Sequence, residues 1–254
     1  MILLFDIGNT NIVMGICENK QIVKTFRYVT DSSLTNDDYF QKIDISIKNY
    51  KNDYTIEGAI ISCVVSQLDK VFASMIDKYF NIKAKIVGPG LKSGLKIKLE
   101  NPKELGADLL CDGVAAYEKF KETSIIVDMG TATKLVVVND KKEFLGGAIC
   151  AGLKGSLKSL INSTSKLSTP TIEVPDRIVC NETLACIQSG IVFGHIAMIE
   201  GLISKIKKEL NNENINVILT GGNSIVIKDH LSIDFTYDEN LLLEGLLDIY
   251  NKNE

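Results

Sequence analysis

The sequence predicts an α/β protein made of two related halves, and three observations carry that reading. An apolar strand runs into an acidic glycine turn, DIGNTN, with Asp6, Gly8 and Thr10. The same unit returns 122 residues later as DMGTAT, with Asp128, Gly130 and Thr133. Each turn is followed by a second apolar strand. A repeat at that distance marks a duplicated domain, since solenoid repeats recur every 20–50 residues or so. The chain has 254 residues, enough for two domains of about 100–150. The expected division is 1–121 and 122–254, at the short polar bridge Lys121–Ser124.

The first half opens with strands at Ile2–Phe5, Ile12–Ile16 and Gln21–Tyr28. A helix over Asp37–Tyr50 follows from Tyr39, Phe40, Ile43, Ile47 and Tyr50 at helical spacing. The β-branched run Gly58–Val64 reads as a buried strand, and Ser66 as the cap of a helix reaching Phe80. Ala84–Val87 then enters the turn Gly88-Pro89-Gly90, and a further helix spans Lys103–Phe120. In the second half, strands at Ile125–Val127 and Leu135–Val138 flank DMGTAT. Asn181–Leu210 is mostly helical, Val217–Leu219 leads into Thr220-Gly221-Gly222, and an amphipathic helix covers Glu239–Tyr250.

Composition narrows the function. The balance of 28 basic and 32 acidic residues gives −4, which provides no basic field for nucleic acid or anionic membrane. No uninterrupted apolar run approaches the roughly 18 residues that span a bilayer. MILLFDIG brings in Asp6 early and has no basic flank, so it reads as a strand and not as a signal peptide. The six cysteines form no C-x-x-C and sit mostly in apolar stretches, as free thiols in a reducing cytoplasm do. His195 and His230 are the only histidines, too few for a zinc cluster.

The chemistry is carried by three glycine turns placed after strands: DIGNTN, DMGTAT and LTGGN. Glycine allows a sharp turn and close approach of phosphate oxygens to backbone N–H groups, while Thr and Asn add donors. Asp6 and Asp128 are suited to holding a metal or water beside those phosphates. Any one turn alone is an ordinary hairpin with a local side-chain bond. Three in this order point to a nucleotide site. No G-x-x-x-x-G-K-[ST] occurs, so it is not a P-loop.

DIGNTN, GPGLKSGL, ENPKELGAD, DMGTAT, GGAI, NETLACIQSG and TGG together resemble, in order, the type III pantothenate kinases. The resemblance implies two ribonuclease-H-like domains of the actin-like ATPase and sugar kinase type, with a nucleotide cleft between them. It implies ATP-dependent phosphorylation of the pantothenate hydroxyl, with Mg²⁺, a monovalent cation (K⁺ or NH₄⁺), and a homodimer sharing its substrate pocket. Carried over, Asp6, Gly8, Asn9, Thr10 and Asn11, through Val13, cradle ATP phosphates and magnesium, with Thr131, Gly221 and Gly222 also at the nucleotide. Asp108 is the base for the substrate hydroxyl, within a substrate-binding set of Gly106, Ala107, Asp108, Leu109 and Thr183. Asp128 binds the monovalent cation. A single carboxylate to orient the alcohol suffices, because phosphoryl transfer is mainly positioning and charge neutralisation.

The chain departs from the family pattern at several points. Leu109 stands where arginine usually follows GAD, and Asp112 where asparagine is usual. Leu99 replaces a tyrosine, Lys134 and Val136 replace Thr and Asp after DxGTAT, and Ala151 replaces a proline. The first two changes make the acid pocket more negative, although pantothenate is an anion that an arginine fork suits. Lys134 restores one positive charge, on the ATP-side turn. On this reading, Leu109→Arg with Asp112→Asn improves turnover. The alternative is a kinase-like paralogue that keeps the nucleotide turns as a regulatory or binding protein, or acts on another small molecule.

Overall fold

The computed structural model describes residues 1–163 and 169–254. The chain forms two compact units, one of Met1–Lys119 with Asn240–Glu254, the other of Phe120–Glu239. In order along the first segment come β1 (Ile2–Ile7), β2 (Asn11–Glu18), β3 (Gln21–Val29), α1 (Asn36–Tyr50), β4 (Gly58–Cys63) and α2 (Leu68–Phe80). The short strands β5 (Lys85–Ile86) and β6 (Lys96–Ile97) and a 3₁₀ turn at Pro102–Glu104 precede α3 (Ala107–Phe120). The second unit holds β7 (Ser124–Met129), β8 (Ala132–Val138), β9 (Glu143–Ala151), α4 (Leu153–Asn162), α5 (Thr183–Glu209), β10 (Asn216–Thr220) and β11 (Thr236–Tyr237). The last helix, α6 (Leu241–Asn251), belongs to the first unit.

The duplication expected from the two acidic turns is visible in the strand orders. The first unit runs β3-β2-β1-β4-β5, and the second contains β9-β8-β7-β10-β11. In both, the first two pairings are antiparallel and the last two parallel. Asp6 and Asp128 each occupy the last position but one of the central strand. Each faces a hydroxyl residue on the parallel neighbour, Ser62 for Asp6 and Thr220 for Asp128.

Strand β1 is buried on both faces, as the centre of a parallel-type sheet should be. Leu3, Phe5 and Ile7 pack in one cluster with Tyr39, Ile43 and Ile47 of α1 and Phe72, Met75 and Ile76 of α2. Leu4 points the other way, among Cys111 and Val114 of α3 and Leu243, Leu246, Ile249 and Tyr250 of α6. The two-residue period of a strand therefore puts Asp6 on the α3 side. In the second unit Ile125, Val127 and Met129 join Val192, Ile196, Ile199 and Ile203 of α5, which leaves Asp128 on the face turned away from α5.

The reading of 122–254 as one half differs from the observed division, because the chain returns to the first unit at Asn240. The reason is steric as well as hydrophobic. A side chain on Gly245 of α6 would place its Cβ 2.0 Å from the Cys111 carbonyl oxygen, so α6 and α3 meet backbone to backbone. Gly58 of β4 likewise lies under the Tyr250 hydroxyl, where a Cβ would be 1.9 Å away. Several elements differ from the sequence expectation. Helix α2 starts at Leu68 after Gln67 in the left-handed conformation (φ 73°), not at a Ser66 cap. Strand β9 and helix α4 went unforeseen, since Gly146 and Gly147 interrupt any alternating pattern there.

By length and hydropathy α5, with 27 residues, is long and apolar enough to cross a membrane. Its apolar run is not continuous, since Gln188, Ser189, His195 and Glu200 break it. Its buried residues are those of the second unit's core, and a core helix meets the same criterion.

Candidate active site

In the first unit the DIGNTN turn is a closed hairpin tip. The Gly8 N–H donates to the Asn11 carbonyl at 3.0 Å, and a Cβ on Gly8 would stand 3.1 Å from that same oxygen. The end of β3 and the residue after it secure the tip from outside. The Thr30 hydroxyl donates to the Gly8 carbonyl at 2.6 Å, and the Thr30 N–H to the Thr10 carbonyl at 3.1 Å. Asn9 and Thr10 remain exposed at the apex. Beneath them, the Ser62 hydroxyl donates to Asp6 Oδ1 at 3.4 Å, a long contact that leaves the carboxylate partly exposed. A partly exposed carboxylate beside a glycine turn matches a Mg²⁺ site, because Mg²⁺ takes one or two carboxylates and completes its shell with water and phosphate.

Residues 106–112 bring the second carboxylate to the same unit. Asp108 lies in the first turn of α3, where a negative charge favours the helix N-terminus. Its carboxylate folds back over Gly106: a Cβ there would sit 2.4 Å from Asp108 Oδ1. Glycine at 106 is thus a condition for Asp108's orientation. Ala107 and Asp108 are partly exposed, whereas Leu109 is only 8 % exposed and Asp112 only 1 %. The fully buried Cys111 reports how these groups cluster. Its thiol is pushed well above the ordinary range by burial first, and then by the charges of Asp112, Asp6 and Asp108. Asp108 and Asp112 thus stand on α3, and Asp6 on the face of β1 turned toward that helix.

In the second unit the other two glycine turns meet. The Asn223 N–H donates to the Met129 carbonyl at 3.0 Å, and its side-chain amide to the Gly130 carbonyl at 2.6 Å. Gly221 has φ +88°, and a Cβ there would lie 2.5 Å from the Met129 nitrogen and 2.6 Å from Asp128 Oδ1. No other residue type fits that position. Thr131 is exposed on the turn, with its carbonyl 2.3 Å from where a Gly152 Cβ would stand, and Gly222 is exposed beside it.

Asp128 is engaged by a side chain of its own sheet. Lys134 is its direct partner across the β7–β8 ladder, and Lys134 Nζ lies 2.8 Å from Asp128 Oδ2. Both side chains are mostly buried, at 17 % and 12 % exposure. A separate monovalent cation on this carboxylate would stand close to the ammonium. At about 4 Å two unit charges repel by about 4 kcal/mol at an effective dielectric of ~20. The other oxygen, Oδ1, is packed against Gly221. The residues present do not fit the additional cation that the resemblance puts on Asp128. On the opposite face of β8, Thr133 Oγ1 and His195 Nε2 are hydrogen-bonded at 2.8 Å, and burial pushes the His195 pKa down.

Thr183 is the first residue of α5 and is exposed. It stands beside a hollow of about 320 Å³ lined by Pro175, Arg177, Asn181, Glu182, Ala185 and Gln188, among others. A hollow of about 580 Å³ in the first unit is lined by Met1, Glu18, Asp44, Lys51 and Glu57, among others, and by none of the turn residues. Sequence reasoning missed Ser62 and the direct partnership of Lys134 with Asp128, and it named the LTGGN turn without the bond of Asn223 to the DMGTAT turn. The partnership was accessible from a two-strand register around DMGTAT, which sets 134 opposite 128.

The sequence model of a family described as type III pantothenate kinase matches residues 2–205. Among solved structures, a protein described as a Baf family transcriptional activator from Campylobacter jejuni superimposes with a TM-score of 0.60 at 18% identity, covering 99% of this chain and 98% of that one. The (R)-2-hydroxyglutaryl-CoA dehydratase component A of Acidaminococcus fermentans gives 0.57 at 11% identity, with 100% and 99% covered. The activator of 2-hydroxyisocaproyl-CoA dehydratase from Clostridium difficile, solved with bound ADPNP, gives 0.52 at 14%, with 99% and 94% covered. At such identities these three likenesses are of fold. The fold is that of the actin-like ATPases and sugar kinases.

Proposed function

We propose a reaction from a lineage: the chain belongs to the type III pantothenate kinase family, and we infer that it transfers the γ-phosphoryl group of ATP to the hydroxyl of pantothenate. The product is 4'-phosphopantothenate, so the protein would act at the first step of coenzyme A synthesis in the cytoplasm. The observation that carries this reading is the family match over residues 2–205, joined to the placement of Asp6 and Asp108 in the same unit.

In this reading the DIGNTN tip receives phosphate oxygens through the exposed groups of Asn9 and Thr10. Asp6 would hold a Mg²⁺ that arrives with the nucleotide, and that ion would supply neutralisation of phosphate charge. Asp108 accepts the hydroxyl proton as that oxygen bonds to the γ-phosphorus. The bond from phosphorus to the bridging oxygen breaks, and ADP leaves with its electron pair. Gly106 matters because the carboxylate reaches its position by lying over it. Gly221 and Gly222 with Thr131 contribute the backbone and hydroxyl donors of the second unit's turns. A homodimer is part of the same proposal, with Thr183 reaching a neighbour's substrate. Ile178, Val179 and Leu184, all exposed apolar side chains around Thr183, support that assembly.

A second reading keeps the nucleotide but not pantothenate, as a regulatory protein or a kinase of another small molecule. The buried Asp112 one helical turn from Asp108 favours it, because an anionic substrate meets added negative charge there. A coupled assay of ADP release with and without pantothenate separates the two. Asp108→Asn should lower turnover by about 10²-fold or more, the scale of a lost general base, with nucleotide affinity unchanged. Tight nucleotide binding without pantothenate-dependent ADP release would support the second reading.

A further inference from the structure

We propose that Lys134 is a built-in monovalent cation: its ammonium takes the charge position at Asp128 that the family resemblance assigns to a potassium or ammonium ion. The case rests on three features of the second unit. First, the ladder register makes Lys134 the direct cross-strand partner of Asp128, so their Cβ atoms are held about 4.5–5.5 Å apart by the sheet itself. The contact is built into the backbone and does not depend on a chance reach of a surface side chain. Second, Nζ stands 2.8 Å from Asp128 Oδ2 with both side chains mostly buried. Third, Gly221 closes over the other carboxylate oxygen, where even a Cβ would be 2.6 Å away.

A lysine ammonium carries the same single charge as potassium or ammonium and likewise takes oxygen partners, but it is tethered. An ion from solution binds according to its concentration; the tethered group is present at every ionic composition. The family pattern has threonine at this position, a residue that offers an oxygen to an ion but no charge. Replacing it with lysine supplies the cation in place of its ligand. Potassium would then have nothing to add at Asp128.

The inference uses the proposed kinase activity for one arm of its test and stands without it in the other. In the first arm, crystals of the protein are grown with thallium(I), a potassium mimic visible by anomalous scattering. The expected result is no thallium at Asp128 in the wild type and a peak there in Lys134→Thr. In the second arm, pantothenate-dependent ADP release is compared in potassium and in tetramethylammonium. Wild type and Lys134→Arg should be indifferent to the change, whereas Lys134→Thr should need potassium by about tenfold or more, within the usual range of coupling between two bound ligands. A thallium peak at Asp128 of the wild type, or potassium stimulation of the wild type of that size, overturns the proposal. Should Lys134→Thr fail to fold, the wild-type crystal alone still decides. Absence of turnover in every cation counts against the pantothenate reading, and thallium occupancy then judges this one.

Discussion

Asp112→Asn is the sharpest perturbation of the first unit. Asp112 is 1 % exposed and follows Asp108 by one turn of α3. Side chains so spaced have Cβ atoms about 5–6 Å apart, and two unit charges at that distance repel by about 3 kcal/mol at an effective dielectric of ~20. Asp108 is partly exposed, and solvent screening roughly halves such a figure. About 1.4 kcal/mol remains, which is tenfold. The same field acts, more weakly with distance, on an incoming carboxylate. Asp112→Asn is therefore expected to lower KM for pantothenate by at most about tenfold, leave nucleotide affinity alone, and lose part of its benefit as salt is raised. Steady-state kinetics at two ionic strengths measure all three. The burial of Leu109 adds a stability cost to the double change. Leu109 is buried, so Leu109→Arg places a guanidinium in the interior, and in the Asp112→Asn background its nearest anionic neighbour on that face is gone. The double variant should be less stable than Asp112→Asn alone. An unchanged or higher KM in Asp112→Asn, or a double variant as stable as the single, would refute the charge argument.

Gly245→Ala should cost about 1–3 kcal/mol through overpacking against the Cys111 carbonyl, while Gly155→Ala, exposed in α4 with nothing within 4 Å of its Cβ, should stabilise by about 0.5–1 kcal/mol. Urea titrations of the two variants give both signs in one experiment. A dimer is expected by light scattering at micromolar concentration, and Val179→Lys with Leu184→Lys should shift it to monomer; a monodisperse monomeric wild type would remove the shared pocket.

Most of the architecture was legible because its signals are local. β1 and β7 announce themselves as apolar runs ending in Asp-x-Gly, and α1 shows its buried stripe of Tyr39, Ile43 and Ile47 at helical spacing. The repeat of those two turns anticipated the matching strand orders. What stayed hidden depends on contacts distant in sequence. The return of α6 to the first unit turns on Gly245 meeting the Cys111 carbonyl and Gly58 meeting Tyr250, and no window of sequence contains both partners. Strand β9 was masked because Gly147 is required by the Leu135 carbonyl, 1.9 Å from where its Cβ would be, and glycine reads as a breaker. At the site, the identities of Asp6, Asp108 and Asp128 came from motif, but burial did not. Leu109 reads as a pocket wall until its 8 % exposure is known. Lys134 reads as a positive charge on the ATP-side turn, and only its register sets it on Asp128.

The placement of α6 has a consequence for how the chain is made. The second unit is a continuous stretch, Phe120–Glu239, set as an insertion within the first. On the ribosome the second unit is complete before the first receives its closing helix. Until Leu243, Leu246 and Ile249 arrive, the side of the first sheet carrying Leu4 and Ile60 has α3 but lacks the rest of its cover. A nascent chain that stalls just past residue 239 thus presents a finished second unit and an open first one, the kind of exposed apolar surface that chaperones hold and that aggregates when they do not. Damage near residue 245 should accordingly be felt first at Asp6 and Asp108, more than a hundred residues upstream, and last at the glycine turns immediately before it.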